Sequence, residues 1–214
     1  MASPGLSIMK LHDNKIYLAS KSPRRRELLR QIGVGFEILL LRDGSARPSD
    51  ITEVALPNEQ AKDYVRRVTE EKAVAAWNMM LMRKLPVRPI LAADTTVVLN
   101  GTIFGKPATR SEAHAMLSSL SGHTHQVFTS IAVHFHDQRL ERTQISDVTF
   151  CTLTEKQIDH YCDTQEPYDK AGGYGIQGSA AQFISQIDGS YSGIMGLPLF
   201  ETAQLLAESG ITLS

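Results

Sequence analysis

The sequence predicts an α/β or α+β fold built on one mixed sheet, and three observations carry that expectation. Segments with strand-like and helix-like patterns are interleaved along most of the chain. Two central segments, Thr124 to Phe135 and Gln144 to Cys151, alternate as paired antiparallel strands do, and Asn100-Gly101 between apolar runs is a hairpin signal. Helical crossovers combined with hairpins require strands of both directions in the sheet.

Taken in order, Ile16 to Ala19 reads as a first strand, and a helix opens at Ser22-Pro23 and closes near Gly33. Phe36 to Leu41 reads as a second strand. Arg42 to Glu59, with Gly44, Pro48 and Pro57 among acids and small polar residues, reads as a long loop. From Asn58 to about Leu85 the pattern is helical, since Ala61, Val65, Val68, Ala75, Ala76 and Met79 fall on one face. Ile90 to Leu99 is a buried strand that the Asn100-Gly101 turn returns into Thr102-Ile103-Phe104. Ser111 to Leu120 is a helix, the paired strands follow with a polar His136 to Glu141 turn between them, and further helices span about Thr154 to Thr164 and Pro198 to Ser209.

Composition narrows the class. The chain has 214 residues, 42% hydrophobic and 21% charged, which excludes disorder, collagen and coiled coil as global descriptions. A single domain over 1–214 is expected, with 1–14 as a flexible extension. The 22 basic residues nearly balance the 23 acidic ones, so no overall positive field is present to hold a nucleic-acid polymer. Cys151 and Cys162 match no metal-ligand spacing and read as free thiols of a reducing compartment. No apolar run is long enough for a bilayer span and no leader pattern is present, so a cytoplasmic protein without a membrane partner is expected.

Three segments break the local rules. Arg24, Arg25 and Arg26 occupy the first turn of a helix, where the macrodipole is already positive; a bound phosphate would turn that cost into a gain, whereas solvation would merely tolerate it. Lys72 lies near the centre of the apolar stripe of the long helix, flanked by Glu71, and needs an anionic partner there unless it snorkels to water. Asp94 sits inside the otherwise apolar run Ile90 to Leu99, a position that suits a proton acceptor or a metal ligand as well as a carboxylate bonded locally.

Other motifs fail. Gly101 to Lys106 is one residue short of a P-loop, and Pro107 stands where a Ser or Thr is needed. Gly173-Tyr174-Gly175-Ile176-Gln177-Gly178 satisfies G-x-G-x-x-G but follows no evident strand, so its glycines read as backbone brought close to a ligand or sharply turned. Gln177 is the one side chain there able both to donate and to accept toward a base edge. His134 and His136 share a strand face opposite Ile131 and Val133, which reads as a solvent-facing strand end. Ser190 to Gly193 reads as a turn into the last helix.

In this order the blocks Leu18-Ala19-Ser20 through Arg25, Glu71-Lys72-Ala73, Ala93-Asp94-Thr95, Gly105-Lys106-Pro107, Ser121-Gly122, Asp169-Lys170-Ala171-Gly172, Tyr174 to Gly178 and Gly196-Leu197-Pro198 resemble the Maf family of nucleoside triphosphate pyrophosphatases. The resemblance covers about Ile16 to Gly210. It implies a mixed α/β fold in two lobes around a central cleft, related to the inosine triphosphatase-like architecture, and commonly a homodimer. It also implies hydrolysis of a nucleoside triphosphate to monophosphate and pyrophosphate with a divalent metal, as a house-cleaning activity on nucleotide pools. Asp94 matches the family's catalytic aspartate, and Thr95 and Gln177 look like the branch that takes dTTP and UTP. Gly193 stands where many members carry Asn, and Ser130 where Gly often follows the threonine.

Joined to the local anomalies, the resemblance gives a set of expectations. Ser20, Arg24 or Arg25, Lys72 and Lys106 neutralise the triphosphate; Glu53, Glu71 and Asp94 hold Mg2+ or Mn2+; Asp94 deprotonates the attacking water; Thr95 and Gln177 face the pyrimidine. The rivals are a nucleotide-binding regulator linked to cell division that does not hydrolyse, and a metal-dependent phosphatase that releases orthophosphate.

Overall fold

The computed structural model describes residues 14–41, 51 and 53–212. The expectations for residues 1–13 and for 42–50 and 52 of the long loop lie outside the described residues. The chain runs β1 (Lys15–Leu18), α1 (Pro23–Gln31), β2 (Gly35–Ile38), α2 (Ala61–Met82), β3 (Ile90–Leu99), β4 (Thr102–Phe104), α3 (Arg110–Leu120), β5 (Thr124–Phe135) and β6 (Gln138–Phe150). It continues through α4 (Glu155–Cys162), three 3-10 turns (Pro167–Asp169, Ala171–Gly173, Ser179–Phe183), β7 (Ile184–Asp188), α5 (Tyr191–Ile194) and α6 (Leu199–Glu208).

The local signals explain most of these boundaries. Ser22 caps α1 by accepting from Arg25 N at 3.4 Å, with Pro23 as the first helical residue. Thr109 caps α3, and Thr154 with Gln157 forms a full capping box at α4. Asn100 and Gly101 have φ of +51° and +79°, the left-handed pair that a two-residue hairpin turn needs.

The strands form one sheet in the order β2-β1-β3-β5-β6-β7, with β4 also on β3. β1 pairs parallel with β2 and β3, and the remaining pairings are antiparallel, so the sheet is mixed as expected. α2 covers one face of the sheet: Ala73, Ala76 and Met80 pack on Ile90, Ala92 and Ala132. The alternate residues Leu91, Ala93, Ile131 and Val133 face the other side and meet Leu28 of α1 and Leu205 of α6. A separate core gathers α3 and α4 on the far ends of β3, β5 and β6, with Val97, Val127, Phe150, Tyr174 and Phe183.

One feature of the register positions the site. β5 pairs with β3 from Ile90 to Val98 along one edge, while the opposite edge is shared by β1, whose pairing reaches only to Leu91 of β3, and β4, whose pairing begins at Val97 of β3. Between them, the β3 edge from Ala92 to Thr96 carries no strand among the described residues. That gap lies between the two cores.

Three expectations are corrected. β6 begins at Gln138 and not at Gln144, leaving only His136 and Asp137 as the turn, with His136 at φ +51°. Its first residues are polar because they run largely exposed, and the backbone ladder to β5 needs no apolar side chain. His134 is 5% exposed and stacks on Trp77 at 4.8 Å, because α2 covers the second face of β5; only His136 is exposed. The expected turn from Ser190 to Gly193 is instead the start of the short helix α5, capped by Ser190, and neither α5 nor β7, an edge strand whose residues are mostly exposed, carries an apolar periodicity to announce it.

Candidate functional site

The gap in the β3 edge opens into a hollow of about 690 Å³ between the two cores. One wall comes from the segment between β1 and α1, the other from the segment after β4 and the turns before β7. Asp94 and Thr95 lie at its base, on opposite faces of β3 by strand alternation.

Arg25 fills the missing strand's place. Its half-buried guanidinium donates from Nη1 to Ala93 O at 2.8 Å, on the open edge, and from Nε to Gly196 O at 2.7 Å. Nη1 also donates to Ser20 Oγ and Nη2 to Thr95 Oγ1, both at 3.2 Å. Burial lowers the Arg25 pKa, with the charge of Asp94 opposing. Gly196, at φ +109°, permits this approach, since a Cβ there would stand 3.4 Å from both Arg25 Nε and Thr95 Oγ1. Arg24 instead reaches across the hollow to Asp169 at 3.0 Å.

On the α2 side, Lys72 Nζ lies 2.7 Å from Asp94 Oδ1 and 2.7 Å from Glu53 Oε1. The Lys72 side chain is 12% exposed and Asp94 15%. The lysine therefore does not snorkel; it joins two carboxylates from distant parts of the chain on a single ammonium. Burial pushes the Glu53 carboxyl up, but the charge and hydrogen bond of Lys72, with Lys106 and Arg25 behind it, hold it below its ordinary value.

The segment bearing Glu53 is held by the first turns of α2. Tyr64 donates to Glu53 O at 3.2 Å, and Arg67 donates to Val54 O at 3.0 Å while pairing with Glu59 at 2.7 Å. Burial, then the charges of Asp94 and Glu53, push the Tyr64 hydroxyl up to about 12.

The structure thus brings Ser20, Arg24, Arg25, Glu53, Lys72, Asp94, Thr95, Lys106 and Gln177 to one hollow. It does not bring Glu71, whose carboxylate accepts from Arg67 Nη1 at 3.1 Å and which is not among the described residues lining the hollow. Lys106 and Gln177 are exposed at the rim and have no hydrogen-bond or ion-pair partner among the described residues. Sequence reasoning gives no role to Tyr64, Arg67 or Glu166, and the signal for them is weak, because Tyr64 reads as a core position and a charged residue on a half-exposed surface is the default. Asp169 and Lys170 stand in one of the family-like blocks with no task expected of them.

A mixed α/β fold with a cleft that gathers guanidinium, ammonium and hydroxyl groups around two carboxylates suits a phosphorylated ligand. The family described as Maf-like protein matches residues 15–209, and the chain belongs to that family. Relatives from Nitrosomonas europaea and Aromatoleum aromaticum, each named dTTP/UTP pyrophosphatase, are 52% identical to it. The first match covers 93% of this chain and 96% of the relative, the second 96% and 100%. A relative from Bordetella avium with the same name is 50% identical, covering 94% and 98%. Among solved structures, the Ham1 protein of Staphylococcus aureus aligns over 64% of this chain and 71% of its own, at 14% identity and a TM-score of 0.39.

Proposed function

We propose that this chain hydrolyses nucleoside triphosphates, with dTTP and UTP as substrates, to the monophosphate and pyrophosphate, and so clears nucleotide pools. The observation that carries the reading is the meeting of Glu53 and Asp94 on Lys72 inside a cleft also lined by Ser20, Arg24 and Lys106. The names of relatives about half identical to the chain favour the same reaction.

In this reading Asp94 orients a water at the floor of the cleft and accepts its proton at a carboxylate oxygen. Lys72, held by both carboxylates, and Lys106, exposed at the rim, face the phosphates and offset the charge that gathers on the leaving pyrophosphate. Ser20 and Arg24 add donors from the α1 side. Arg25 contributes mainly by holding Ser20 and Thr95 in place, because most of its N–H groups are taken by the protein. Thr95 and Gln177 face the base.

The donor set fits a divalent cation. Glu53 and Asp94 are hard oxygen donors that already converge on one positive charge, and two carboxylates completed by phosphate and water oxygens are a usual Mg2+ or Mn2+ set. Among the described residues no third His, Cys, Asp or Glu joins them, and Glu71 is engaged with Arg67. When bound, the metal supplies charge neutralisation on the phosphates and a lower pKa for a coordinated water. The reading also includes a single-domain enzyme that acts as a homodimer in the cytoplasm on free nucleotides, without a nucleic-acid polymer or membrane as partner.

The test is a panel of nucleoside triphosphates with Mg2+ or Mn2+, with monophosphate, pyrophosphate and orthophosphate resolved. Monophosphate with pyrophosphate from dTTP and UTP is the expected outcome; orthophosphate release, or binding without turnover, rejects it.

A further inference from the structure

The glycines of Gly173 to Gly178 lead into the 3-10 turn Ser179–Phe183 and not into the α-helix a dinucleotide site needs, and the structure shows what Gly175 and Gly178 make room for. A Cβ on Gly178 would stand 1.9 Å from Glu166 Oε1, and one on Gly175 would stand 2.7 Å from Lys170 Cε. Two charged side chains lie directly beneath the turn that presents Gln177.

Glu166 is the more heavily engaged. Its Oε2 accepts from Ser179 N at 3.0 Å and from Ser179 Oγ at 2.7 Å, and its Oε1 accepts from the Tyr161 hydroxyl at 3.0 Å. Its own carbonyl accepts from Lys170 Nζ at 2.6 Å, and its N–H donates to Thr164 Oγ1 at 3.2 Å. Tyr161 is 2% exposed and anchored in the α3–α4 core, so the carboxylate ties the turn to a rigid element. Burial pushes the Glu166 carboxyl up, but the Ser179 and Tyr161 bonds outweigh it and hold the group ionised.

We infer that Glu166 is a positioning residue for base selection: its carboxylate, bridging Tyr161 and Ser179, clamps the Gly175–Gly178 turn so that Gln177 and the flanking backbone groups present one order of donors and acceptors to the base. The inference rests on the proposal that Gln177 faces a pyrimidine. Uracil and thymine present an N–H donor beside a carbonyl, whereas cytosine presents the reverse order. A side-chain amide can flip and satisfy either; backbone groups in a clamped turn cannot. Glu166 does not line the hollow, so it acts through the turn and not by touching the nucleotide.

The experiment measures Kd for UTP and CTP, with Mg2+ present, in the wild type and in Glu166→Gln, Ser179→Ala, Gln177→Ala and the Glu166→Gln/Gln177→Ala double variant, with thermal midpoints and pyrophosphate release in parallel. Glu166→Gln should shrink the ratio of the CTP to the UTP constant by about tenfold, the scale of a lost charge-assisted hydrogen bond. Ser179→Ala, which keeps its backbone N–H, should shrink the ratio less. In the Gln177→Ala background the Glu166 change should shrink the ratio by less than it does in the wild type, because only the backbone groups of the turn are left to misplace. Equal weakening of both nucleotides with a lowered midpoint, multiplicative effects of the two substitutions, or a wild type without preference between UTP and CTP overturns the inference. A wild type that prefers UTP but releases no pyrophosphate overturns the proposed reaction alone, and the binding ratios still decide the role of Glu166.

Discussion

At the scale of single residues, Lys72 and Asp94 could be singled out from the sequence because each violates the pattern around it, a cation in an apolar stripe and an acid in an apolar strand. Both violations resolve in one contact of 2.7 Å. Glu71 is next to Lys72, but neighbours on a helix point about 100° apart, and Glu71 meets Arg67 while Lys72 faces β3. The consequence for Asp94→Asn is specific: it keeps the volume and a partner for Lys72 but removes the proton acceptor. Turnover of dTTP should fall at least about 10²-fold, with the fold retained by circular dichroism. Lys72→Met is a different perturbation. It leaves Glu53 and Asp94 without the cation that joins them, so triphosphate affinity in titration should weaken by about tenfold or more in a folded protein. Unchanged affinity would remove Lys72 from the phosphate site.

At the scale of elements, most boundaries were legible wherever capping or turn chemistry was local, as at Ser22, Thr154 and Asn100-Gly101. They were illegible where an element is held by its partner strand alone. The polar start of β6 is a strand because β5 pairs with it, and a composition-based reading takes such residues for a turn. The 3-10 turn Ala171–Gly173 is another such case: Gly172 adopts φ +69°, and a Cβ there would lie 2.8 Å from Val97 Cγ2. Its N–H donates to Gly105 O at 3.0 Å, next to Lys106. Gly172→Ala therefore combines a strained backbone with overpacking against β3, and should lower unfolding free energy by about 1–3 kcal/mol in a urea titration. Because the same turn braces the Lys106 segment, KM for the triphosphate should rise with it; a variant as stable as the wild type would show that the turn relaxes freely.

At the scale of the whole molecule, the cleft belongs to neither core but to the stretch of β3 that neither β1 nor β4 covers, which is why no local reading of the sequence could place it. Arg25 binds the uncovered backbone of β3 from the α1 side, and Arg24 reaches Asp169 across the gap. The α3–α4 lobe carries a buried titratable group of its own. His125 is 1% exposed, bonded through Nε2 to the Tyr174 hydroxyl at 2.7 Å, and Tyr174 also lines the cleft. Burial lowers the His125 pKa from 6.5 to about 4, against weaker opposing contributions from His123 and Asp147. Between those values the unfolded chain binds a proton that the folded chain does not, so stability is full above about pH 6.5, falls as the pH drops toward 4, and falls no further from this group below that. The loss over that window is on the order of 3 kcal/mol. His134, also lowered by burial, acts in the same direction. Urea midpoints for the wild type should therefore drop between pH 7 and pH 5, and His125→Gln, which keeps a polar tip but does not titrate, should flatten that drop while lowering the midpoint at pH 7. Parallel pH profiles for the two proteins would show that the imidazole is already solvated in the folded state, and that the α3–α4 lobe opens around Tyr174 far more readily than its packing implies.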